Sequence, residues 1–216
     1  MPDIFDEVQE ELRAERARRL GIRYGGLLAG IALLALLGIG GWQGWRWWQE
    51  QQAAQTGALF LEISRKAEAP GADLKAAGDN FASLAATAPE GYQILARLRA
   101  AALKAETGDR EAALALWDQV AGDAGAPQLY RDLASLMWVL HGIDTQDPAA
   151  LAARLTPLTE PSNPWRASAR ELQGLLAIRR GDKPEAKRIL EALAGDVTAP
   201  RGLRDRAGRL AAGLGV

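Results

Sequence analysis

Apolar residues follow two patterns along the chain, a continuous run near the N-terminus and a helical periodicity after it. From Tyr24 to Trp45 no residue carries a charge, and roughly 20 helical residues are enough to cross a ~30 Å hydrocarbon core. Beyond this run, apolar residues recur at helical spacing, with no strand-like alternation of useful length. The pattern predicts an all-α protein with one N-terminal transmembrane helix followed by an α-solenoid of helical hairpins.

Aromatic and basic residues flank the uncharged run and predict its orientation. Aromatic rings settle at membrane interfaces, and an excess of Arg and Lys stays on the cytoplasmic side. The predicted interface anchors are Tyr24, Trp42, Trp45, Trp47 and Trp48. The basic residues before the run are Arg13, Arg16, Arg18, Arg19 and Arg23, whereas Arg46 follows it closely. We therefore expect a single-pass inner-membrane protein with a cytoplasmic N-terminus and a periplasmic C-terminal domain.

A cleaved signal peptide is the competing interpretation of the run. Signal peptides have a short basic start and a small-residue cleavage site, but here an acidic segment comes first and residues 49–54 make a poor cleavage site. The sequence thus favours an uncleaved anchor. The predicted boundaries are 1–23 for a cytoplasmic amphipathic segment, 24–45 for the transmembrane helix, 46–70 for a juxtamembrane helix and 71–216 for the repeat domain.

The C-terminal region repeats itself. Gly108-Asp109 recurs as Gly181-Asp182, an offset of 73 residues, and the same offset aligns many further positions without a gap. These include Ala113 with Ala186, Ala126-Pro127 with Ala199-Pro200, and Arg131-Asp132 with Arg204-Asp205. Since 73 is about twice the ~34-residue period of helix-turn-helix repeats, a more diverged unit is expected between these two.

Each unit has the signals of two amphipathic helices joined by a tight turn. Gly108 and Gly181 stand where a helix ends in a left-handed residue, and the Asp after each is placed to cap the next helix. One predicted apolar stripe is Leu129, Leu133, Leu136 and Leu140, and another is Trp165, Ala169, Leu172 and Leu176. A single hairpin cannot bury its apolar face, so the units should stack and end in a capping helix near 203–210.

Composition excludes several functional classes. The net charge of −1 gives no excess of Lys and Arg of the kind that binds nucleic acid. The absence of cysteine excludes disulfides and thiolate sites. The one histidine, His141, lies at the predicted end of a helix, where interaction with helix carbonyls is the favoured role. We find no G-x-S-x-G elbow and no phosphate-binding glycine loop. We therefore expect no enzyme, no cofactor, no metal and no small-molecule substrate.

The repeated positions resemble the tetratricopeptide family. In that family's second helix, a glycine is followed five positions later by alanine and four positions after that by a large residue. This chain has that spacing twice, as Gly108, Ala113 and Trp117 and as Gly181, Ala186 and Leu190. Ala101 and Gly174 fit its small residue in the first helix, whereas Arg97 and Arg170 replace an early aromatic residue. The whole chain is similar to the ancillary subunit family of the bacterial SecYEG translocon. This resemblance implies a periplasmic domain that contacts translocon subunits and exported clients or periplasmic chaperones.

The functional prediction is a membrane-tethered protein-binding module beside the export channel. The alternative is a scaffold for assembling another envelope complex, such as cell-division or cytochrome-maturation machinery. A peptide-binding groove is expected to be lined by the first helix of each unit. The candidate groove residues are Tyr92, Arg97, Arg99, Arg131 and Arg170.

Overall fold

The computed structural model describes the backbone of residues 4–215 and the side chains of residues 26, 27, 30, 31 and 33–215. Every regular element in this part of the chain is helical, which confirms the all-α prediction. The chain divides into two compact units, Met1–Gln52 and Ala53–Val216.

Nine α-helices follow one another over the described backbone. They are α1 (Ile4–Glu68), α2 (Leu74–Thr87), α3 (Glu90–Glu106), α4 (Arg110–Gly122), α5 (Gln128–Gly142), α6 (Pro148–Leu155), α7 (Arg166–Arg179), α8 (Lys183–Ala194) and α9 (Arg201–Gly213). A short 3₁₀ turn, Pro157–Thr159, lies between α6 and α7.

The first unit contains the uncharged run as part of α1. Its described apolar side chains are exposed, and so are the four tryptophans at its end, Trp42, Trp45, Trp47 and Trp48. A search of the described residues found no helix with the length and apolarity needed to span a membrane. Of the predicted span, residues 24, 25, 28, 29 and 32 lie outside the described side chains, as does the whole of segment 1–23.

The second unit is built from helical hairpins. The C-terminal part of α1 packs with α2, and α3–α4, α5–α6 and α7–α8 form three further pairs. Helix α9 packs on α8 and buries Ala207 and Ala211, as expected for the capping helix. The first helices of successive hairpins also touch, α3 on α5, α5 on α7 and α7 on α9.

The end of α1 contributes to the core of the second unit. The helix continues through Gly57, and its Ile63 and Ala67 are buried in one cluster with Phe81. A Cβ atom at Gly57 would lie 2.5 Å from the Tyr92 hydroxyl oxygen, so a side chain at this position would displace the end of the Tyr92 side chain. Within the second unit, residues 53–68 of α1 therefore supply the first helix of the first hairpin.

The structure confirms the predicted turn chemistry at both copies of the repeat. Gly108 and Gly181 have φ of 87° and 78°, the left-handed conformation that glycine adopts without strain. Asp109 accepts a hydrogen bond from the Ala112 backbone N–H, and Asp182 accepts the equivalent bond from Glu185. The same left-handed glycine and capping aspartate therefore form the turn in both hairpins.

A missing side chain also sets the helix spacing in the last hairpin. The fully buried Leu190 of α8 packs against Gly174 of α7, and a Cβ at Gly174 would lie 2.7 Å from Leu190 Cδ2 and 2.8 Å from its Cγ. Real atoms do not approach so closely, so any side chain here forces α7 and α8 apart. In the earlier copy, the equivalent position is Ala101.

We predict that Gly174→Ala lowers the free energy of unfolding by about 1–3 kcal/mol through overpacking, despite alanine's better helix propensity. Gly202→Ala, in α9 with open space around its Cβ, is the matched control and should be neutral or slightly stabilising. Urea unfolding followed by circular dichroism measures both. Equal stability of the two variants would contradict the packing account.

Candidate protein-binding surface

Two of the predicted groove arginines take part in one repeated ion pair. Arg97 of α3 donates from Nη1 to Asp123 at 3.3 Å, and Arg170 of α7 lies 3.6 Å from Asp196. These residues are related by the 73-residue offset, so the interaction recurs with the repeat. It ties the first helix of each hairpin to the turn that follows the second. The arginine that replaces the family's aromatic residue therefore has a structural partner.

The other predicted groove residues also have neighbours within the domain. Arg99 lies 3.6 Å from Glu68, and Arg131 donates to the side chain of Gln128. Tyr92 packs beside Phe60, with ring centroids 6.2 Å apart. The five residues are distributed over three first helices, with three on α3, one on α5 and one on α7.

The clearest open surface on the first helices is apolar, along α5. Of the stripe predicted from Leu129, Leu133, Leu136 and Leu140, only Leu136 is buried, whereas Leu129 and Leu140 are 48% and 40% exposed. In the structure, α5 lies between two clusters and buries Ala134 toward one and Val139 toward the other. We call Leu129, Leu133 and Leu140 the α5 surface.

The start of α5 is held by polar contacts within the helix and from the segment that leads into α7. Asp132 is buried and accepts hydrogen bonds from Gln128 at 2.7 Å and from Asn163 at 2.8 Å. The Trp165 indole N–H donates to the Leu129 carbonyl oxygen at 3.2 Å. These contacts fix the backbone that carries Leu129, so its side chain is presented from a rigid helix.

The second helices of the hairpins are flanked by grooves. Helix α6 has 8 residues, against 13 in α4 and 12 in α8. Because it is shorter than the other second helices, it leaves space beside α4 and α8. A groove of about 500 Å³ runs beside α4 and includes Leu114, Trp138 and Gln146. Another of about 370 Å³ lies between α6 and α8. Trp138 is partly covered by Arg154, whose guanidinium carbon lies 4.0 Å from the ring centroid.

The only histidine of the sequence has a structural environment. The His141 ring stacks on the buried Trp117, with centroids 4.6 Å apart and planes 27° apart. Burial lowers the pKa of His141 below its ordinary value of 6.5, and the charge of Arg110 lowers it further. Among the described residues there is no group of three or more His, Cys, Asp or Glu side chains that could hold a metal ion. Trp117 itself lies in the core, with 1% of its surface exposed.

The hydrogen bonds and ion pairs of Asp196 make stability depend on pH. Hydrogen bonds from Thr198 lower the pKa of Asp196 below its ordinary 3.8, and the positive charges of Arg166 and Arg170 act in the same direction. The ionised form is therefore favoured by folding. Its contribution is present above pH 3.8 and is lost as the pH falls through the lowered pKa.

We predict that Asp196→Asn lowers the urea midpoint at pH 7 and that the difference from wild type closes as the pH falls below 3.8. Asp205→Asn, which removes an exposed partner of Arg201 on α9, should change the midpoint little at any pH. A difference from wild type that is independent of pH would contradict the ionic explanation.

We predict that His141 titrates below 6.5 and that Arg110→Gln brings its pKa closer to that value. Because the folded pKa is lowered, protonation opposes folding, and stability declines as the pH drops below 6.5. NMR titration of the single imidazole measures this pKa directly. Arg209→Gln on α9 is the control and should leave the titration unchanged. A value above 6.5 would show that His141 is not shielded by the Trp117 stack.

Comparison with known proteins agrees with this architecture. The family model described as Tetratricopeptide repeat-like domain matches residues 22–202, well over half of the chain. A search of curated proteins and a search of solved structures each gave no significant match. Repeat domains of this kind are generally protein-interaction modules without catalysis. With its stacked hairpins and repeated turns, the chain belongs to the Tetratricopeptide repeat-like domain family.

Proposed function

We propose that this protein is a membrane-tethered helical-repeat module that binds other proteins on the periplasmic side of the bacterial inner membrane. Within this proposal it serves as an ancillary translocon subunit that assists exported proteins or their chaperones. The observation that carries the binding role is the α5 surface, an apolar face left open on a rigid helix of an interaction domain.

The α5 surface suits protein binding for physical reasons. Leu129, Leu133 and Leu140 share one side of the helix with the buried Leu136, since positions four, seven and eleven apart nearly coincide around it, and Leu129 and Leu140 are the exposed ends of this stripe. Apolar burial stabilises an interface by about 25 cal/mol per Å². Because α3 and α7 pack on either side of α5, the backbone beneath these leucines need not reorganise when a partner binds.

The membrane tether is supported by the sequence and by the exposure of α1. No residue from Tyr24 to Trp45 is charged, and the described leucines, isoleucines and tryptophans of this run are exposed to solvent. Exposed apolar side chains of this size are costly in water but favourable in lipid. Tethering would confine the binding domain to the membrane surface and raise its effective concentration near partners there, so a weak intrinsic affinity would suffice.

Photocrosslinking in cells tests the binding surface and its partner together. A photoreactive residue placed at Leu129 or at Leu140 should crosslink to translocon subunits, to exported proteins or to their chaperones. The same probe at Gln119, which is exposed on α4, should give at least several-fold less of these products. Adducts to cell-division or cytochrome-maturation proteins in place of translocon subunits would support the scaffold alternative.

A double substitution at the α5 surface separates binding from folding. We predict that Leu129→Ser with Leu140→Ser greatly reduces these crosslinks from a probe at Leu133, with a stability change of about 1 kcal/mol or less because both residues are exposed. Val197→Ser is the control, since Val197 is 83% exposed in the turn before α9. Equal crosslinking in the wild type, the double variant and the Val197→Ser control would show that the α5 surface does not bind the partner.

The proposed topology has its own measurement. A reporter enzyme fused after Val216 should be active only in its periplasmic form, and the protein should stay with the membrane in carbonate. A cytosolic reporter signal or release by carbonate would contradict the tethered periplasmic role.

A further inference from the structure

A basic groove distinguishes the last hairpin from its earlier copy. It consists of two adjoining depressions of about 370 and 210 Å³ between α6, α7 and α8. Gln173, Arg188 and Ile189 line both, so the two depressions form one groove. Arg170 lies at one end and Arg180 at the other. We call this the last-hairpin groove.

Comparison of the two repeat copies shows which side chains make this groove basic. At the 73-residue offset, Arg188 stands where the earlier copy has Ala115, and Arg180 stands where it has Thr107. Gln173 replaces Ala100. The shared fold requires none of these changes, because the earlier hairpin packs with the smaller residues. The polar side chains are thus additions to the repeat, and they converge on one side of α7 and α8.

A fourth difference places two arginines beside one carboxylate. Arg166 replaces Gln93 of the earlier copy and lies 3.3 Å from Asp196, while Arg170 lies 3.6 Å from the same carboxylate. Two guanidinium groups therefore share one carboxylate. In the earlier copy, Arg97 is the one cation that pairs with Asp123 among the described residues. The excess positive charge faces the last-hairpin groove through Arg170.

The acidic groups in the groove are already engaged. Asp182 caps α8 through the Glu185 backbone N–H. Glu185 pairs with Arg188 at 2.6 and 2.8 Å on the exposed surface of α8. Such exposed pairs contribute about 0–1 kcal/mol, so Arg188 can exchange this partner for another carboxylate at little cost. Arg180 has no side-chain partner among the described residues.

The surrounding charge favours the same kind of ligand. Residues 166–216 hold eleven Lys and Arg against six Asp and Glu, a net charge of +5. Residues 53–165 hold nine against fourteen, a net charge of −5. An acidic ligand that approaches the repeat domain is therefore attracted to its C-terminal end and repelled from the rest.

We propose that the last-hairpin groove binds an acidic segment of a partner protein, with its carboxylates held by Arg170, Arg180 and Arg188. This proposal rests on the proposed protein-binding function and names the chemistry of one partner. Guanidinium groups hold carboxylates through paired N–H donors, and such charge-assisted bonds are about twice as strong as neutral ones. Arg170 and Arg180 lie ten residues apart on and just after α7, about 15 Å along a helix, which matches a short extended segment.

Fluorescence polarisation with a defined probe tests the proposal on the full chain in detergent micelles. The probe is a labelled octapeptide of alternating Glu and Ser, and its reference is the same peptide with Gln in place of Glu. Only the Glu peptide should bind, and its affinity should fall as salt is raised. Arg180→Gln with Arg188→Gln should weaken binding by roughly tenfold or more, from the loss of two charge-assisted contacts.

The matched control removes two charges elsewhere. Arg201→Gln with Arg209→Gln, on the exposed side of α9, should leave the affinity within about twofold. Equal loss in both double variants would show attraction to net charge and overturn the groove, as would equal binding of the Glu and Gln peptides. Crosslinking at Leu129 and Leu140 is independent of these arginines. If the peptide fails to bind while those crosslinks persist, the acidic-segment proposal is wrong and the proposed protein-binding function is unaffected.

Discussion

Each helical hairpin of this protein has an apolar face that it cannot cover by itself, and the structure depends on neighbouring hairpins burying it. Many of the packed positions are small. Ala96, Ala100 and Ala101 on α3, with Ala113 on α4 and Ala134 on α5, are fully buried. Small side chains bring helix backbones close together, which increases the dispersion contacts along their length. The same need for close approach favours glycine at Gly174, where a Cβ would meet the fully buried Leu190.

The first helices stack on each other, and this leaves two kinds of surface open. On α5, packing from two sides covers Leu136 but leaves Leu129 and Leu140 of the same stripe exposed. Beside the second helices, the short α6 leaves room for grooves on both sides. An interaction domain thus gains an apolar surface and a basic groove in different places. The two surfaces suit ligands of different chemistry, an apolar helix face and an acidic segment.

Much of the fold could be predicted because its signals are local. Glycine at a left-handed position and aspartate as a cap act within one turn of chain, so Gly108-Asp109 and Gly181-Asp182 predicted their hairpins correctly. The candidate site was harder to predict. Arg97 and Arg170 look like free cations in the sequence, yet each lies beside a carboxylate 26 residues further along the chain. Repetition of the Arg–Asp spacing at offset 73 was the signal that could have identified these pairs.

The sequence by itself determined the helical class, the repeat, the turns and the uncharged run, because each depends on residues close together in the chain. Tertiary structure alone decided which side of each helix is covered. Leu129 and Leu136 belong to one stripe in the sequence, but only Leu136 is buried, since α5 is packed from two directions at once. Periodicity identifies an apolar face, and the number of neighbours around a helix decides how much of that face remains open.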